Sequence, residues 1–212
     1  MLARLARAAI PASDTWLYAH RHLAEIGVEH DPWRASLFAR RVLDLRPEDD
    51  GAWAVLGLAQ SLLGNYRYAA RAYERALALA PGNPWYAHNL GHLYDVALDR
   101  PEDALPLLAQ AAETQTGEAD IAASYAHALA RCGKLASAKR VLKRAIRRGG
   151  TADQMALWRW LDAGAPVTRE LRAGGDAVDA TPAPGEPARA SEAEARKKPK
   201  RRRPRERKSL GD

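Results

Sequence analysis

The sequence predicts an all-α chain: a short solenoid of stacked helical hairpins, closed by one further helix and followed by a disordered basic tail. Two stretches share one skeleton thirty-four residues apart, Trp53-x2-Leu56-Gly57 and Ala87-x2-Leu90-Gly91. Each continues with small and large apolar residues in a fixed order. A single hairpin cannot bury its apolar stripe, so repeated hairpins stack to build a continuous core. Composition then breaks at Gly164, beyond which there is no aromatic residue and Pro166, Pro182, Pro184, Pro187, Pro199 and Pro204 interrupt regular structure.

Residues 1–13 read as a leading helix; the apolar part is too short, and too evenly spaced with Arg4 and Arg7, for a secretory signal. Residues 14–49 form a divergent hairpin, with Trp16 and Leu23 on its first helix, Ala35 and Val42 on its second, and Pro47 ending it. The clearest copy spans 50–83 and runs Trp53, Leu56, Gly57, Ala69, Tyr73, Ala76 and Pro81. Ala69, Ala76 and Gly57 are small where two helices approach, and Trp53, Leu56 and Tyr73 fill the space between them. The copy at 84–118 carries Ala87, Leu90, Gly91, Tyr94, Ala104, Leu108 and Ala111. Its later positions are displaced by one residue, which predicts a longer turn at Asp99, Arg100, Pro101 and Glu102. The copy at 119–150 is degenerate, with Tyr125, Ala126, Leu129, Ala138, Leu142 and Ala145, and with Gly150 where a closing proline would stand.

These residues resemble the tetratricopeptide repeat signature, strongly at 50–83 and more loosely over 14–150. Gln60 departs from it, standing where a tyrosine is expected. The resemblance implies three to four such hairpins in a right-handed α-solenoid, built for binding protein rather than for catalysis. Thr151 and Gln154 then have capping-box spacing, so a helix over 151–163 is expected to close the array. Met155, Trp158 and Leu161 share the face expected to cover the last hairpin, and Trp160, pointing elsewhere, is expected to be partly packed. Residues 164–212 lack the apolar surface to offset ordering entropy and read as disordered.

The resemblance also implies which positions line the concave groove: Ala54, Leu58 and Ser61 on the first clear copy, Trp85, His88, His92 and Asp95 with neighbouring Asn89 on the second, and His127 and Arg131 on the third. Repeats that grip the carboxylate end of chaperone tails place lysine, asparagine and arginine at such positions. Ala54 and Leu58 stand there instead, so that mode is not expected.

The formal net charge is +7, and the positive excess is concentrated. Residues 196–208 hold Arg196, Lys197, Lys198, Lys200, Arg201, Arg202, Arg203, Arg205, Arg207 and Lys208 against Glu206 alone. A second cluster comprises Lys139, Arg140, Lys143, Arg144 and Arg147, with Val141, Leu142 and Ala145 expected to face inward. Basic side chains without interleaved aromatics suit salt-sensitive contact with a phosphate backbone or another polyanion rather than base stacking. A solvated outer face is the plain alternative for the helical cluster.

Catalytic signals are missing. There is no glycine-rich phosphate loop and no nucleophile elbow. His88 and His92 lie four apart on one face, a spacing that two metal ligands can use, but no glutamate accompanies them as in zinc-protease helices. Groove-lining imidazoles are the reading preferred, with neither metal nor cofactor expected. Cys132 is the single cysteine, so no disulfide can form within the chain, and the cytoplasm is the expected compartment. No apolar run reaches membrane-spanning length. The sequence thus points to a non-enzymatic adaptor that binds a peptide or protein segment in its groove while its tail contacts a polyanion. The alternative is a nucleic-acid- or ribosome-associated factor in which the tail and last repeat dominate.

Overall fold

A computed structural model describes residues 1–165. All regular structure among them is helical. After α1 (Leu2–Ala8) come four hairpins: α2 (Asp14–Gly27) with α3 (Pro32–Leu43), α4 (Asp50–Leu62) with α5 (Tyr66–Leu79), α6 (Pro84–His92) with α7 (Pro101–Thr114), and α8 (Ala119–Arg131) with α9 (Leu135–Ile146). Helix α10 (Ala152–Asp162) follows. Each second helix packs on its own partner and on the next first helix, and α6 meets α8 as α8 meets α10. The first helices therefore line one side of the stack.

Local chemistry sets the boundaries. Asp31, Asp49 and Asn83 accept from the amides of Arg34, Ala52 and Trp85, satisfying donors that an α-helix leaves free at its start. Thr151 and Gln154 close both bonds of the expected capping box. Within the last three hairpins, each turn has one residue in the left-handed region: Gly64 at φ 79°, Asp99 at φ 55° and Gly133 at φ 75°.

The displaced spacing of the second clear copy has a different origin from the one expected. The turn over 98–100 is as long as those over 63–65 and 132–134. The extra residue lies inside the helix, where α6 continues as a single π-helical turn, Leu93–Ala97, closed by Leu98 N–H donating to the Leu93 carbonyl at 3.1 Å.

The core is continuous along the stack. Leu17, Val42, Leu56 and Ala72 fill it near the first hairpins; Tyr73, Leu90, Leu93 and Leu108 fill the middle; Leu129, Leu142 and Leu161 fill the last part. A Cβ added at Gly57 would meet the Tyr73 ring at 2.9 Å, and one at Gly91 would meet Leu108 at 2.7 Å, so both glycines permit close helix contact. Gln60, in the place of the expected tyrosine, is buried and accepts from Asn65 Nδ2 at 2.7 Å, tying helix to turn. On α10, Leu161 is buried and Trp158 half-buried as expected, but Met155 is exposed. Gln154 takes the buried place one residue earlier, donating to the Ala119 carbonyl at 3.1 Å.

Candidate functional site

The inner face of α6, its π-helical turn and α8 holds most of the chemistry. Trp85, His88 and His92 follow one another at helical spacing, and Trp85 is 47% exposed. Ser124 Oγ of α8 lies 3.1 Å from His88 Nε2 and 3.3 Å from His92 Nδ1, so one hydroxyl bridges two imidazoles from the neighbouring hairpin. Desolvation by the packed helices is the first cause that lowers the pKa of both rings. The neighbouring His92 adds to it at His88, and His127 adds to it at His92, whereas Asp120 and Asp95 respectively oppose it.

Asp95 is placed differently from the rest of this set. It sits in the π-helical turn at 1% exposure, turned between hairpins rather than toward solvent. Its carboxylate accepts from His127 Nδ1 at 2.5 Å and from Arg131 Nη1 at 3.1 Å. Arg131 also donates to the Asp95 carbonyl and to the Asp99 carboxylate. Asp95 lies in the last turn of this helical stretch, where backbone carbonyls have no partner within the helix, so its carbonyl is free to accept from Arg131. His127 is stacked against Trp160 of α10, with ring centroids 5.2 Å apart and planes 24° apart, so Trp160 is half-buried at the groove end. Neither the Asp95 knot nor this stacking was legible in the residue spacing.

The other groove positions are plainer. Ala54 and Leu58 are half-buried against the middle core, Ser61 Oγ donates to the Gly57 carbonyl at 3.0 Å, and Asn89 is half-buried facing Tyr73. Desolvation, partly offset by the Asn89 hydrogen bond, raises the Tyr73 phenol well above its ordinary pKa.

The helical basic cluster lies on a second helix, away from this face. Lys139 pairs with Asp162 at 3.0 Å, and Arg140 donates to Ser137 Oγ at 2.9 Å. Lys143, Arg144 and Arg147 are exposed and form no ion pair among the described residues. The run 196–208 and its ten cationic residues lie outside the described residues. Among the described residues no group of three or more His, Cys, Asp or Glu is arranged to hold a metal, and no helix is long and apolar enough to cross a membrane. Cys132 is half-buried, and desolvation first, then Glu102, raises its pKa, so the thiolate is disfavoured.

These features define an α-solenoid with an open inner face. A tetratricopeptide-repeat family model matches residues 51–83. Among solved structures, YrrB, described as a TPR protein with an unusual peptide-binding site, has a TM-score of 0.65 at 20% identity, covering 82% of this chain and 86% of that one. MamA from Desulfovibrio magneticus RS-1 has a TM-score of 0.64 at 15% identity, covering 69% and 84%. Both are likenesses of fold. Protein FlbA of Caulobacter vibrioides is 30% identical over 128 residues, an alignment that covers 60% of this chain and 21% of FlbA. The chain thus carries a tetratricopeptide repeat at residues 51–83, within a fold shared with tetratricopeptide-repeat proteins.

Proposed function

We propose that this chain is a non-enzymatic adaptor of the cytoplasm, whose inner face binds a protein or peptide segment while its basic residues engage a polyanion. The observation that carries the reading is the composition of that face: Trp85, His88, His92 and Val96 line one stretch of it, where an exposed indole and hydrogen-bonding rings suit a peptide of mixed character. YrrB, named for a peptide-binding site, lends support by analogy of fold. The run 196–208 supplies the polyanion contact, with Arg140, Lys143, Arg144 and Arg147 as a second basic patch. Two linked contacts of this kind raise local concentration without requiring either to be tight.

The exposed, unpaired Lys143, Arg144 and Arg147 favour a second reading, a nucleic-acid- or ribosome-associated factor. Capture of interactors from lysate separates the two, using the full chain and a version ending at Gly164, with and without nuclease. The adaptor predicts protein partners that resist nuclease and survive truncation. Loss of proteins and nucleic acid together on truncation would establish the second reading instead.

A further inference from the structure

We infer that the inner face formed by α6, its π-helical turn and α8 docks a partner segment bearing Lys or Arg side chains; this rests on the groove-binding reading above and names its ligand chemistry. Charge is the first ground. Residues 84–97 contain no Lys or Arg, and α8 carries Arg131 alone. That guanidinium is already engaged by Asp95 and Asp99. Over these residues two carboxylates, Asp95 and Asp120, stand against that one cation. The imidazoles do not offset the excess, because desolvation holds His88 and His92 in the neutral form at pH 7.

Hydrogen-bonding capacity is the second ground. The imidazoles of His88 and His92, the bridging Ser124 hydroxyl and the Asp120 carboxylate bring hydrogen-bond acceptors to this face. Asp120 is exposed and close enough to act on His88 electrostatically. Ammonium and guanidinium groups are pure donors, so they match an acceptor-rich surface that an acidic segment would meet with like charge. Apolar contact is the third ground: Trp85 at 47% exposed and Val96 at 40% offer surface to the aliphatic stems of such side chains, and the indole face also attracts cations.

The test uses the full chain and two probes, an alternating Lys-Ala peptide and an alternating Glu-Ala peptide, followed by NMR shifts of the His88, His92 and His127 imidazoles. A net charge of +7 opposes general attraction of the Lys-Ala probe, so its binding requires a local site. The expected result is that Lys-Ala shifts the three imidazoles, that Asp120→Asn weakens it about fivefold, and that Glu113→Gln on the outer α7 leaves it unchanged. Shifts caused by Glu-Ala but not Lys-Ala would overturn the cationic ligand while leaving a peptide groove standing. Full Lys-Ala affinity in Asp120→Asn would overturn it as well. Silence of the imidazoles toward both probes would sink this inference and the groove reading together.

Discussion

Arg131 of α8 reaches back across the hairpin boundary to Asp95, donating to the carboxylate at 3.1 Å and also to the Asp95 backbone carbonyl. One guanidinium thereby bolts the third and fourth hairpins together. Removing it leaves a buried carboxylate with only His127 as partner, so Arg131→Ala should destabilise by about 3 kcal/mol. Asp95→Asn keeps the shape and should cost less. Equilibrium urea unfolding of both variants checks the order, and equal losses would show that the pair is not coupled in this way.

Glycines should separate by location. At Gly91 a methyl group would meet Leu108 at 2.7 Å, so Gly91→Ala should cost about 1–3 kcal/mol through overpacking. Gly82 lies in an open turn with nothing within 4 Å of its would-be Cβ, and Gly82→Ala should be neutral or stabilise by up to about 1 kcal/mol. Paired thermal melts read the contrast.

Acid should weaken the fold through three histidines. His20, His88 and His92 all have lowered pKa values, with desolvation the leading cause at each, so the folded chain takes up protons at lower pH than the unfolded chain. Stability is then complete above the ordinary histidine value of about 6.5 and declines as pH falls through it toward the folded values. The groups around the groove pair are Ser124, Asp120, Asp95, His127 and Arg131; Arg41 faces His20. Melting midpoints between about pH 7.5 and 5 should fall, and the fall should be shallower in His88→Gln/His92→Gln.

The closing helix depends on its first turn. Thr151→Ala removes the side-chain acceptor for the Gln154 amide and should cost about 1 kcal/mol. Gln154→Ala also strips the buried donor to the Ala119 carbonyl and should loosen α10 from α8. Fluorescence of Trp158 and Trp160 should shift to longer wavelength in Gln154→Ala before the remaining helices melt. A single shared transition with unchanged emission would contradict this.

Hairpin pairing was legible in the sequence because small and large residues alternate at contacts with little tolerance, as at Gly57 against Tyr73. The place of the extra residue was not. A spacing count fixes how many residues separate Gly91 from Ala104, yet a turn and a π-helical turn absorb one residue equally well on paper. For the same reason Asp95 reads as groove-facing when α-helical phase is assumed, and the π-helical turn buries it. Met155 and Gln154 exchange roles because the Ala119 carbonyl offers a bonding partner that apolar periodicity does not register. The bridging of His88 and His92 through Ser124 required neighbouring helices to be placed first.

An inserted residue in a continuous α-helix would rotate everything downstream by about 100°, turning core positions toward solvent. Here the single wide turn at Leu93–Ala97 takes up that rotation, and Ala104 and Leu108 still arrive on the buried side. It acts as a phase corrector for the array. The hairpins on either side thereby keep their docking faces in register despite the extra residue between them.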